Sequence, residues 1–214
     1  MIDRRTTSLE NGNAFEIDSR TSLLSMTPPD RPFEEAFSSL IGLLDSLAFP
    51  YCLLGALALG AWGTPRTTQD VDVFIGLEPS DHQRLLEAME ATGFSYDAQW
   101  AEANPMIREV HLRFQRGPIP VDLLLPRDDH DREILPRRQR VQLGNRDVWV
   151  ISAEDLILHK LKVGRAQDFV DVLSVLHHQK GALDLQYVES WSLRLGIREE
   201  WNYCQQQMKE GSHP

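Results

Sequence analysis

The sequence predicts an α+β fold with mixed α/β connections: a mixed sheet flanked by helices, then a C-terminal helical appendage. Three observations predict it. Apolar residues recur at helical spacing from Phe33 to Leu47. Short runs with period-two alternation fill the middle of the chain, around Tyr51–Gly55, Asp70–Gly76, Val110–Pro126 and Arg138–Ser152. From Ser152 onward the period turns helical and stays helical. Strands in one block and helices in the next read as α+β.

A length of 214 residues fits one domain, or one domain with an appendage. The expected organisation is a flexible arm over 1–31, a core over 32–151 and a helical region over 152–214 packed on that core. The arm is polar, with turn formers at Asn11-Gly12 and Pro28-Pro29 and at most one short strand. Pro32 opens the first helix, whose inner side carries Phe33, Phe37, Leu40, Ile41, Leu44 and Leu47. Pro50 ends it. "YCLLG" reads as a short buried strand and "ALALGAW" as a small-residue helix, capped by Gly63 and stopped by Pro65. "DVDVFIG" is the next strand. Asp81–Thr92 is a helix with Leu85, Leu86 and Met89 inward. Residues 94–107 carry no clear period. "VHLRFQRGPIPVDLLLP" reads as two strands around Gly117-Pro118, with Leu112 and Phe114 on one face and His111, Arg113 and Gln115 on the other. "RDDHD", Arg127–Asp131, reads as a solvated loop. "RQRVQLGNRDVWVIS" is a hairpin with a Gly144-Asn145 turn of type II′. Ser152 to Asp155 forms a capping box, and helices follow over 153–163, 167–179, 184–194 and 197–208.

Composition narrows the function. At 42% hydrophobic residues the chain can bury a core, and its net charge of -10 argues against a whole-surface binder of nucleic acid or anionic membrane. Two cysteines, Cys52 and Cys204, make no disulfide framework and no metal-ligand spacing, which points to a reducing, cytoplasmic location. No secretory signal stands out before Asp18, and no apolar run approaches the ~20 residues of a spanning helix.

The chemistry concentrates in "RTTQDVDVFIG". Alternation turns Asp70 and Asp72 to one face, ~6.5 Å apart, while Val71, Val73 and Ile75 face the core. Two such carboxylates can hold a hard divalent cation together with substrate phosphates. Asp122 repeats the pattern inside "VDLLLP", between Val121 and Leu123. Buried-strand acids that converge repel one another unless a cation joins them. Gly55 ends a strand and opens a helix, whose N-terminal N–H groups form an anion site. Arg66 and Thr68 lie between that helix and the acids. Arg66 reads equally as a phosphate clamp or as the partner of a rim Asp.

The ordered set Gly55-Ala56, Gly63, Arg66-x-Thr68-x-Asp70-x-Asp72 and Asp122 resembles the nucleotidyltransferase (polymerase beta-like) superfamily. Within it the chain is most similar to the AbiEii-like group of toxin-type and minimal nucleotidyltransferases. "EDLILHKLKVGRAQDFVDV", Glu154 to Val172, matches that group's helical pattern at Lys160, Arg165, Asp168 and Asp171. The resemblance runs from Phe33 to Leu176 and implies a nucleotidyltransferase-type sheet. It further implies Mg2+ or Mn2+ on Asp70, Asp72 and Asp122, with Asp122 also helping to deprotonate an acceptor hydroxyl. An NTP would set its phosphates at Gly55-Ala56, near Arg66, Thr68 and Lys160, with Arg165 and Asp168 orienting Lys160. From the residues alone, Lys160 also reads as a snorkelling surface lysine, and Arg165 with Asp168 as a helix cap.

Several acceptors stay open. A toxin-type chain would modify tRNA or a protein and would have a cognate antitoxin. An antibiotic-modifying chain would use an aminoglycoside or lincosamide. The acidic balance suits a cationic antibiotic, and Arg137, Arg138, Arg140 and Arg146 suit RNA, although their alternation reads first as a solvated hairpin face. Ala56 stands where the group carries Gly or Ser. It keeps the backbone donors without a hydroxyl, which leaves a second reading: an inactive nucleotide-binding or protein-interaction module.

Overall fold

The computed structural model describes residues 31–210, with only the backbone of Arg31. The arm expected over 1–31 lies outside the described residues except for Arg31, which opens the first helix. Pro32 sits in the first turn of α1 (Arg31–Leu47), where its missing N–H forfeits no helical bond. Ala36, Leu40, Ile41 and Leu44 bury the inner stripe of α1.

β1 (Tyr51–Leu53), α2 (Gly55–Trp62), β2 (Val71–Ile75) and α3 (His82–Ala91) follow the expected order, with a 3₁₀ turn over Pro79–Asp81 before α3. The stretch without a clear period holds β3 (Ser95–Tyr96) and α4 (Ala98–Ala103). Elements of two and six residues are too short to display a period. The two hairpins are β4 (His111–Arg116) with β5 (Ile119–Leu124), and β6 (Gln139–Leu143) with β7 (Arg146–Val150). At the second turn Gly144 has φ +62° and Asn145 is not left-handed, as a type II′ turn requires. The chain closes with α6 (Ala153–Val163), α7 (Ala166–His178), α8 (Leu185–Arg194) and α9 (Arg198–Glu210).

The solvated loop expected at Arg127–Asp131 is instead the start of α5 (Asp129–Arg137). Asp128 caps it, accepting from the Asp131 N–H at 2.8 Å, and His130 and Asp131 are buried. Lys162 of α6 donates to both Asp128 and Asp131. Asp131 can be buried because its cation comes from a distant helix, which local composition does not reveal, while Asp129 is exposed.

The strands form one mixed sheet in the order β3-β4-β5-β2-β1-β7-β6. The β2–β5 and β1–β7 pairs are parallel and the others antiparallel. Cross-strand partners share a face. One face therefore carries Val71, Val73, Ile75, Val121, Leu123, Leu112 and Phe114, all buried in the core. The other carries Asp72, Asp122 and Arg113 side by side. α2 lies between β2 and the pair α6 and α7. Trp62 Nε1 donates to the Ile151 carbonyl at 2.7 Å, and the Thr64 N–H donates to Ser174 Oγ at 2.6 Å. These bonds fix the helix whose N-terminus faces the acids. At the C-terminus, fully buried Trp201 donates from Nε1 to Glu189 Oε2 at 2.8 Å and joins α9 to α8. Cys52 and Cys204 are free and buried. No helix among the described residues is long and apolar enough to cross a membrane.

Asp155 ties the helical region together. Ser152 caps α6 as its sequence predicts, accepting from the Asp155 N–H at 3.1 Å. The Asp155 carboxylate in turn accepts from His130 Nε2 at 3.2 Å, Ser152 Oγ at 2.7 Å, Tyr187 Oη at 2.7 Å and Arg137 Nε at 3.0 Å. Burial pushes this carboxyl up, but the four donors outweigh burial and hold it below the usual carboxylate range. Asp155→Ala should take the acceptor from buried His130 and Ser152 and from half-buried Tyr187 and Arg137, and cost about 3 kcal/mol, measured by urea unfolding. Because the folded pKa is depressed, this contribution is complete above the ordinary 3.8 and fades as pH falls below it. A variant as stable as the wild type at pH 7 would refute the hub.

Candidate active site

The site is built by register. β2 and β5 run parallel with Asp72 opposite Asp122, and Asp70 precedes β2 by one residue. Carboxylate oxygens of Asp70, Asp72 and Asp122 lie within 4.8 Å of one another. Thr68 Oγ1 donates to Asp70 Oδ1 and so aims the first acid. The Leu54 N–H donates to the Asp72 carbonyl at 2.9 Å, which locks the start of β2 to the start of α2.

Gly55 stands at the closest approach. Its φ is +58°, and a Cβ there would collide with Asp72 Oδ2 and lie 3.0 Å from the carboxyl carbon. Only glycine allows the turn and the carboxylate to share that space. Ala56 follows within the first turn of α2 and is buried.

The three acids do not share one electrostatic state. Burial, then the charges of Asp70 and Asp122, push the Asp72 carboxyl up to about 6. Asp122 goes the other way. Burial raises it, but hydrogen bonds from Arg113 and His111 outweigh burial and hold it below the usual range. Arg113 grips Asp122 as a fork, Nε to Oδ1 at 2.7 Å and Nη2 to Oδ2 at 2.7 Å, and His111 Nε2 donates to Oδ1 at 2.9 Å. A carboxylate held this way is a weak proton acceptor. Trp100 backs the pair, 4.4 Å from the His111 ring and 5.1 Å below the Arg113 guanidinium, centroid to centroid and carbon to centroid respectively.

Alternation alone puts His111 and Arg113 on the polar side of their strand without joining them to Asp122. The signal was present. A two-residue turn at Gly117-Pro118 pairs Arg116 with Ile119, and counting back along the ladder puts Arg113 opposite Asp122.

A second layer of charge lies on α6 and α7. Lys160 is 4% exposed, so it is not a surface lysine. Its Nζ pairs with Asp171 Oδ2 at 2.5 Å and Asp168 Oδ1 at 3.4 Å. Arg165 donates its backbone N–H and Nε to Asp168 Oδ2, which caps α7. Arg66 lies 3.4 Å from Asp171 and is itself exposed, but its partner is a buried acid shared with Lys160 rather than an Asp of the rim. Lys160 acts on Asp72, and Asp72 on Arg165, through space rather than by contact.

The basic stretch lies elsewhere. Arg137 is paired with Asp155 and Glu154, and Arg138 and Arg140 stack on Trp149. Arg138 and Trp149 border a cavity of about 240 Å³ against Pro50 and Tyr51, at the end of β1 away from Leu54 and the acids.

No protein-family model matches the chain, and no curated protein matches it. Solved structures do. A crystal structure of ANT(2")-Ia in complex with adenylyl-2"-tobramycin is similar at a TM-score of 0.54 and 14% identity, over 79% of this chain and 99% of that one. A solution structure of the antibiotic-resistance factor ANT(2'')-Ia is similar at a TM-score of 0.53 and 12% identity, over 85% of this chain and 98% of that one. The chain therefore has a nucleotidyltransferase-type fold.

Proposed function

We propose that the chain transfers a nucleoside monophosphate from an NTP to an acceptor hydroxyl. The observation that carries this reading is the register that sets Asp72 beside Asp122, with Asp70 one residue before the strand and the start of α2 against them. An all-oxygen donor set fits Mg2+ or Mn2+. The two carboxylates that form no ion pair among the described residues, Asp70 and Asp72, fit as its holders, with Asp122 beside them. Burial, and then the charges of Asp70 and Asp122, raise the Asp72 carboxyl, and a divalent ion held there would offset that cost. When bound, the cation supplies charge neutralisation at the phosphate oxygens.

The chain's own groups do the rest. N–H groups at Gly55 and Ala56 face the triphosphate at a helix N-terminus. Arg66, on the rim, reaches phosphate oxygens by leaving Asp171. Thr68 keeps Asp70 aimed. Lys160, fixed by Asp168 and Asp171, raises the local positive potential from behind, and Arg165 fixes Asp168. The acceptor hydroxyl gives up its proton to solvent as its oxygen bonds to the α-phosphorus, the α–β anhydride bond breaks, and pyrophosphate leaves with that bonding pair. Catalysis rests on positioning and charge rather than a covalent intermediate.

The test is incubation with each α-labelled NTP and Mg2+ or Mn2+, offered separately to tRNA, protein lysate, aminoglycosides and lincosamides. Label should move to one pool, and Asp72→Ala should abolish it. Transfer to tRNA or protein supports a cytoplasmic toxin-type enzyme, for which a cognate antitoxin is then sought. Transfer to an antibiotic supports the resistance reading. Metal-dependent NTP binding with no transfer to any pool overturns the enzyme in favour of an inactive module. Transfer that survives Asp72→Ala overturns the site.

A further inference from the structure

We infer that Arg113 takes the place of a second cation in this site, so that the acid cluster binds one divalent ion, on Asp70 and Asp72. The inference rests on the metal-dependent reading above and deepens it.

A carboxylate offers about four lone-pair directions. On Asp122 three are filled: two on Oδ1, by Arg113 Nε and His111 Nε2, and one on Oδ2, by Arg113 Nη2. Arg113 also offsets part of the carboxylate's charge at the distance where a bidentate pair is strongest. Asp122 thus offers one free direction and a reduced charge to an incoming ion.

The fork is built in. Arg113 stands directly opposite Asp122 in the β4–β5 ladder, so its reach is set by the sheet. Its guanidinium lies over Trp100, and Trp100 packs on His111. Asp122 itself is 3% exposed and has no alternative partner in water. A divalent ion would have to break two short charge-assisted bonds to take both oxygens.

Asp70 and Asp72 differ. Among the described residues the ion pairs at this site reach Asp122, Asp168 and Asp171, and neither Asp70 nor Asp72. Asp70 accepts from a neutral hydroxyl, and Asp72 lies against a backbone glycine. Their charges remain for an ion. Arg113 is a positioning residue here: it fixes the third carboxylate and sets how many ions the cluster takes.

The experiment titrates the metal-stripped full chain with Mn2+ and reads free Mn2+ by electron paramagnetic resonance, without substrate. Wild type should bind one equivalent. Arg113→Met, which keeps length but cannot donate, should bind a second equivalent roughly 10-fold or more tighter than wild type does. Arg113→Lys keeps the charge without the fork and should fall between them. It also carries the test if circular dichroism shows the Met variant unfolded. Asp72→Asn should lose the first equivalent. Two equivalents in wild type with the same affinities in both Arg113 variants would overturn the inference and leave the metal reading standing. No Mn2+ bound to any of the proteins would overturn the metal reading itself, and the inference with it.

Discussion

Asp72→Asn should lose transfer by roughly 10²–10³-fold or more and yet melt higher than wild type in metal-free buffer at pH 8. The two effects share one cause. In the folded chain burial and two neighbouring acids hold this carboxyl at about 6, against 3.8 for the ordinary group. The folded state therefore binds more protons than the unfolded state between those values. Stability from this group is complete below pH 3.8 and is lost as pH rises through about 6. At pH 8 the uncompensated charge costs on the order of 3 kcal/mol, which the amide removes. Melting temperatures with a chelator present, from pH 4 to 8, test this. The curves of wild type and variant should converge at the acid end. Added Mg2+ should raise the melting temperature of wild type and leave that of the variant where it is. A variant that melts lower than wild type at pH 8, or that still transfers label, would contradict the assignment. Destabilisation of this kind marks a site whose charge is kept for function.

Gly55→Ala should damage both stability and metal binding, since among the described glycines a Cβ at Gly55 meets the closest contact. A φ of +58° strains any residue with a Cβ, by roughly 1–2 kcal/mol. The new methyl also takes the space of Asp72 Oδ2, so the turn or the acid must move. A loss of about 3 kcal/mol in urea unfolding is expected, together with loss of tight Mn2+ binding. Ala56→Gly is the control. It should cost up to about 1 kcal/mol as a helix substitution and leave Mn2+ binding intact. If Gly55→Ala binds Mn2+ like wild type, the close approach of turn and carboxylate does not define the site. The pair of variants also separates the two residues of the turn. Gly55 is the one that must lack a side chain, and Ala56 already lies inside α2.

Much of this was legible from local pattern. Alternation in "DVDVFIG" and "VDLLLP" set the acids on the face opposite Val71, Val73 and Leu123, and the sheet keeps them there. The helical stripe of α1, the Ser152 cap and the Gly144 turn follow from residues within a few positions of each other. The solvated-loop expectation for His130 and Asp131, and the surface-lysine alternative for Lys160, fail for the opposite reason. Charged residues read as solvated unless their partners are known, and the partners come from other elements: Lys162 for Asp128 and Asp131, Asp168 and Asp171 for Lys160.

The sequence alone determined which side chains share a face, because alternation along a strand and periodicity along a helix are properties of the backbone. It also determined the order of the glycine turn, the helix N-terminus and the three acids along the chain. Only the tertiary structure decided which charges meet. Strand order put Asp72 beside Asp122, hairpin register put Arg113 across from Asp122, and helix packing closed Asp168 and Asp171 around Lys160. Coulomb and hydrogen-bond energies depend on distances of a few ångströms between residues far apart in the chain, and those distances exist only once the sheet and helices have packed.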